Sequence, residues 1–197
     1  MQGMSMQRAG GDAADPQLAA RVAVLEHAFT TIAHERMAGL PVLNPNLSVE
    51  AIGFERVAGA ADEAGHALGI LATPWFMSLV WLPLSPSVAG RADGGVPAVS
   101  PDQVGPRTFG EHTFDFMPNW QSGLGAFESC SLVSPMDEFA SQADVRAIAV
   151  EILRVLRTAR DRQDVSPQRT PARMAGAPLD RRRFLFGGLS AAEGIKT

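Results

Sequence analysis

Cys130 is the chain's one cysteine and its one candidate thiol nucleophile. It stands between Ser129 and Ser131 in an alternating, strand-like stretch. A lone cysteine in a strand reads as a small buried hydrophobe. A redox accessory role for Cys130 would need a depressed thiol pKa and fast alkylation in the folded state. His27 and His34 are seven residues apart, near one face of a helix, but two histidines without a third ligand at metal spacing do not make a zinc site. His66 and His112 each stand alone. Asp137-Glu138 could act as acid and base, yet adjacent acids ahead of a helix read more simply as electrostatic caps. The chain has no Walker loop, no dinucleotide fingerprint and no serine-centred elbow. We therefore expect no catalytic residue, no metal and no cofactor, and a protein that acts by binding.

The residues suited to binding are aromatic side chains and methionines. Trp75, Phe76, Met77 and Trp81 fall within one short stretch, and Trp120, Phe127, Met136 and Phe139 come later. Most of these read as core. A sheet with helices on one face leaves its other face free. There Trp75, Phe76, Met77, Trp81, Trp120 and Met136 would offer a soft groove for an apolar peptide.

The positioning elements follow from periodicity. Residues 1–15 carry no pattern and read as a disordered N-terminus. From Pro16, the apolar residues Leu18, Val22, Leu25, Phe29 and Ile32 recur at helical spacing, and Gly39 and Pro41 end the run. Strands are predicted over 48–57, 66–72, 75–82, 107–117 and 125–133, with a turn at Pro118–Gly123 and a long Gly/Pro-rich surface loop at 85–106. Ser141-Gln142-Ala143-Asp144 resembles a capping box and opens a second helix to about Thr158, with a stripe of Val145, Ile148, Ile152, Val155 and Leu156. The predicted fold is α+β: a mostly antiparallel sheet of about five strands, with an N-terminal and a C-terminal helix packed on one face. The domain spans 16–158, a flexible linker follows at 159–180, and a basic, apolar tail closes the chain at 181–197.

Charge and compartment narrow the partners. The net charge of −4 divides unevenly: up to Thr158 there are 9 arginines against 17 acids, and after it 8 Lys and Arg against 4 acids. An acidic body repels phosphates, so no nucleic acid is expected. The apolar run from Ile70 to Leu84 is interrupted by Pro74 and Pro83 and is short of the roughly 20 residues of a membrane helix, so no stable membrane insertion is expected. Met1–Pro16 shows no apolar segment behind Arg8. With a single cysteine, this points to a cytoplasmic protein.

Four segments, in order, resemble the NiFe-hydrogenase assembly chaperones of the HybE/HupJ type. They are Asn44-Pro45, Thr73-Pro74-Trp75-Phe76-Met77, Cys130–Met136 and Arg182-Arg183-Phe184-Leu185-Phe186-Gly187. The likeness covers most of residues 17–188, without the 85–106 segment. It implies a non-catalytic cytoplasmic protein that holds an immature hydrogenase small-subunit precursor by its twin-arginine signal peptide. Other maturation proteins are further possible partners. The alternative is a structural adaptor that binds the large subunit. The residues themselves add one point. Arg181-Arg182-Arg183-Phe184-Leu185 looks like a twin-arginine motif with Asp180 at its head, placed where it cannot direct export. Such a tail could mimic the client peptide. A linker of about 20 residues spans roughly 25 Å as a coil, against a body with a radius of gyration of about 15 Å.

Overall fold

The computed structural model describes residues 15–57, 65–85, 105–109 and 112–165. The first helix, α1, spans Pro16–Glu35. Asp15 caps it by accepting hydrogen bonds from the backbone N–H groups of Gln17 (3.1 Å) and Leu18 (3.2 Å). Arg56 adds a 2.7 Å ion pair to the same carboxylate. The Leu18 N–H first, and then the Arg56 guanidinium, hold the Asp15 carboxyl below its ordinary pKa.

Six strands follow: β1 (Glu50–Arg56), β2 (His66–Ala72), β3 (Met77–Pro83), β4 (Gly105–Phe109), β5 (His112–Gln121) and β6 (Gly125–Val133); α2 (Gln142–Val165) comes last. They form one sheet in the order β1-β2-β3-β6-β5-β4, with every neighbouring pair antiparallel. The predicted strand over 107–117 is in fact a hairpin, with Phe109 paired to His112. Gly110 begins the two-residue connection, and an alternation count runs straight through it. The turn expected from Pro118 also starts later. β5 continues to Gln121, and Pro118 pairs with Glu128 of β6. Among the described residues β4 flanks β5 only as far as Phe116, so Pro118 lies beyond that ladder and its missing N–H breaks none of its bonds.

The helices do not share a face. In β3, Leu79 and Trp81 belong to one buried cluster, with Val145, Ala149, Ile152, Leu153 and Leu156 of α2. The residues between and after them, Val80 and Leu82, belong to another, with Leu25, Val22 and Phe29 of α1. Successive strand residues point to opposite faces, so the sheet is sandwiched between α1 and α2. Gly53 lets α2 come close. It sits at a register shift in β1 with φ +61°, and a Cβ there would lie 2.5 Å from the Leu153 side chain. α2 also outruns its predicted end at Thr158 and reaches Val165. Ala159–Gln163 adds no apolar stripe but is rich in good helix formers, so an amphipathic count stops too early. Residues 159–165, expected in the linker, therefore belong to the helix.

Arg21 anchors α1. It is buried, donating from Nε to Pro83 O (2.9 Å) and from Nη2 to Leu124 O (2.6 Å). One guanidinium thus joins the helix to the end of β3 and to the β5–β6 turn. Removing it leaves two carbonyls short of a charged donor. Arg21→Ala should lower the unfolding free energy by about 2–3 kcal/mol, read from urea midpoints. Arg21→Lys should recover less than half of this, because a point ammonium cannot span both carbonyls as the fork does. Full recovery by lysine would assign the effect to packing alone.

The cap of α1 is pH-dependent. Folding lowers the Asp15 pKa, so its contribution is present above the ordinary carboxylate range and is lost as pH falls through the folded-state value. Asp15→Asn should flatten that part of the acid-induced loss of stability, followed by circular dichroism between about pH 5 and 2. An unchanged acid limb would remove Asp15 from the account.

Candidate functional site

Three segments singled out in the sequence meet at one end of the sandwich. Asn44 is buried at their junction. Its Nδ2 donates to Met136 O (2.9 Å) and Phe139 O (2.8 Å), while its Oδ1 accepts from Asn46 N (3.0 Å). Its backbone N–H donates to Pro74 O (2.9 Å). One residue therefore fastens the chain after α1 to the β2–β3 turn and to the segment leaving β6. Thr73 shapes that turn. It is fully buried, its hydroxyl donates to Phe76 O and accepts from the N–H groups of Trp75 and Phe76, and its own N–H bonds Phe76 O. The Ser134 hydroxyl donates to Trp75 O at 3.3 Å, next to a cis Ser134-Pro135 bond.

This staple borders an open, shallow cleft of about 360 Å³. One wall is Pro41 to Asn46 and the other is Asp137 to Ala140. The lining carries two carboxylates, from Asp137 and Glu138, and no cationic side chain. Both acids are exposed. Val42 of the lining is 43% exposed, and Leu40, two residues before it, is 45% exposed. Burying a Leu or Val completely stabilises by roughly 1.5–3 kcal/mol, and a partner covering these two would gain a good part of that for each. The arrangement suits a ligand that presents a cation next to an apolar side chain.

The acids do not cap α2. That helix starts at Gln142, and Ser141 caps it: its Oγ accepts from Asp144 N (3.3 Å) and donates to the Asp144 carboxylate (2.7 Å). The Ser–Asp signature thus holds, with a hydroxyl–carboxylate bond in place of the usual reciprocal one.

The expected partner-binding residues separate. Met77 and Met136 are fully buried and Trp81 is 8% exposed, all in the α2-side core, so none of them offers a surface. The free sheet face they were expected to line is filled by a helix. Trp75 and Phe76 are half-buried, edge to face at 5.6 Å, with Phe76 also against Phe29 of α1. They lie at the cleft's end of the molecule. Trp120 is half-buried and pairs with Ala126 at the far end of β6. Arg107 stacks 4.0 Å over Trp81 and bonds Glu128 with both nitrogens, so Trp81 is covered on the solvent side as well. Cys130 is 2% exposed in the same core. His27 and His34 are exposed on α1. Arg181, Arg182, Arg183, Phe184 and Leu185 lie outside the described residues, as does the segment 86–104. The sequence reading passed over Leu40 and Val42 and took Pro41 only as a helix stop. Their signal was a run of apolar residues just beyond a helix stop, with no element of its own to pack against.

Residues 20–187 match the family model described as NiFe-hydrogenase assembly, chaperone, HybE. The chain is 45% identical over 168 residues to the protein HoxT of Cupriavidus necator, covering 85% of this chain and 88% of that one. It is 33% identical over 171 residues to the hydrogenase expression/formation protein HupJ of Bradyrhizobium diazoefficiens, covering 87% and 90%. The solution structure of HybE from Escherichia coli superposes with a TM-score of 0.50 at 22% identity, over 80% of this chain and 89% of that one. The last likeness is one of fold.

Asn44→Ala would remove the amide donor from Phe139 O and leave Met136 O with only the Phe139 N–H, at 3.3 Å. It should cost about 2–4 kcal/mol by chemical denaturation. Asn44→Asp should cost at least as much at neutral pH, since a carboxylate would then face Met136 O and Phe139 O. A loss under 1 kcal/mol for both would show that the cleft walls are held by something else.

Proposed function

The chain belongs to the HybE family of NiFe-hydrogenase assembly chaperones, and from that premise we propose that it binds the immature small subunit by its twin-arginine signal peptide, in the cleft between residues 40–46 and 137–140. It acts in the cytoplasm by binding, without catalysing a reaction. A signal of this class presents paired arginines followed by an apolar segment. The observation that carries the proposal is the pairing of Asp137 and Glu138 with the half-exposed Val42 across one cleft, with Leu40 exposed two residues earlier. Exposed ion pairs contribute little affinity, about 0–1 kcal/mol each. Their part is to steer and orient the arginines, while apolar contact sets how long the client stays. The pairing suits a chaperone, which must hold a client and then release it.

Calorimetric titration tests this with two partners: the small-subunit precursor with its signal, and the same subunit without it. Binding should require the signal and weaken as salt rises, because exposed charges are screened. Asp137→Asn with Glu138→Gln should weaken it by roughly tenfold, the equivalent of two modest ion pairs. Equal binding with and without the signal would overturn the cleft proposal and move the contact to the folded subunit. Binding to the large subunit alone would make the protein an adaptor.

A further inference from the structure

We infer that Trp75 makes the site selective for arginine over lysine: its indole face stacks one of the client's paired arginines, and Asp137 supplies the counter-charge. This rests on the cleft being the client site. The fold already contains one complete seat of this kind. Arg107 lies 4.0 Å over the Trp81 ring and bonds Glu128 through Nη2 at 2.7 Å. That seat is closed, with His66 stacked on Trp81 at 5.3 Å and Trp81 only 8% exposed. An indole and a carboxylate recur at the cleft. Trp75 is half-buried. Among the described residues its ring neighbour is Phe76, edge to face at 5.6 Å, and no cation stacks on it. Asp137 is exposed in the cleft lining.

Asn44 ties the two segments together. Its backbone N–H donates to Pro74 O and its Nδ2 donates to Met136 O, both at 2.9 Å. Trp75 and Asp137 are the next residues in the chain after those carbonyls. The Trp75 backbone is held on both sides. Its N–H donates to the Thr73 hydroxyl (3.3 Å), and its carbonyl accepts from the Ser134 hydroxyl (3.3 Å). A side chain whose backbone is fixed in advance loses less freedom when a ligand arrives. Chemistry then decides between the two cations. An exposed carboxylate draws either one. An indole face favours the guanidinium, which is planar, stacks on the ring and is more weakly hydrated than an ammonium. The acid thus attracts the client, and Trp75 reads which cation it carries.

Calorimetric titration of the full chain tests this with two probes: the small-subunit precursor, and the same precursor with both paired signal arginines changed to lysine. The unaltered protein should bind the arginine form more tightly. Trp75→Leu keeps apolar bulk and removes the ring. It should shrink that preference by about two- to fivefold, the range of an exposed cation–π contact. Trp75→Phe should keep part of the preference, since a phenyl face is a weaker seat, and it carries the test if the leucine variant does not fold by circular dichroism. Trp120 is half-buried at the far end of β6, and Trp120→Leu should leave the preference unchanged. A Trp75 that only packs would weaken both probes equally on substitution and leave the preference intact, which overturns the inference. Equal binding of the two probes by the unaltered protein overturns it as well. Asp137→Asn should weaken both probes. If it does while the Trp75 variants keep the preference, the cleft reading stands without Trp75. If neither Asp137→Asn nor the Trp75 variants change the binding of either probe, the cleft reading and the inference fall together.

Discussion

The amide of Asn44 carries the constraint on which the cleft depends. Each of its polar atoms is used: the two Nδ2 protons go to Met136 O and Phe139 O, and Oδ1 takes Asn46 N–H. These carbonyls belong to irregular backbone outside the sheet; Met136 O has one further donor, the Phe139 N–H at 3.3 Å, and a buried carbonyl without a donor costs as much as a lost hydrogen bond. Aspartate has the shape but not the donors, and alanine has neither. The walls of the cleft thus stand apart at a distance set by one side chain, with Thr73 fixing the neighbouring turn in the same way.

The arrangement of the layers leaves little of the sheet open to a partner. α1 and α2 take opposite faces of the sheet, so the broad apolar areas of β2 and β3 are consumed internally. Trp81 is closed off from above by Arg107, whose charge is in turn held by Glu128. Among the described residues, the loop after α1 leaves Leu40 and Val42 exposed. Loops suit the purpose because their backbones can hold apolar side chains half in water, as Leu40 and Val42 are held.

Ion pairs fasten the sandwich at its borders and leave its core apolar. Asp15 with Arg56 ties the start of α1 to the end of β1, and Glu50 with Arg146 and Gln142 ties the start of β1 to the first turns of α2. Arg157 reaches Glu55 and Gly53 O farther along the same helix. Each pair is partly exposed and adds little energy alone. Together they set the register of the two helices against β1, the strand both of them touch.

Local chemistry was enough for much of the fold. β2 at 66–72 and β6 at 125–133 were legible to the residue, because apolar runs there end at strong turn signals. The start of α1 at Pro16 and the Ser141 cap were equally plain, since capping is decided within four residues. The motifs that carry the family likeness were visible as words without a geometry. Three things required the tertiary structure. Which face each helix covers depends on the handedness and order of distant strands, and a period of two marks both faces of β3 alike. The hairpin at 109–112 replaced a single strand because alternation does not see a reversal of direction. The cleft itself joins residues nearly a hundred positions apart through one amide. Periodicity reports how a segment is buried. Only contacts between segments decide what is left exposed for a partner.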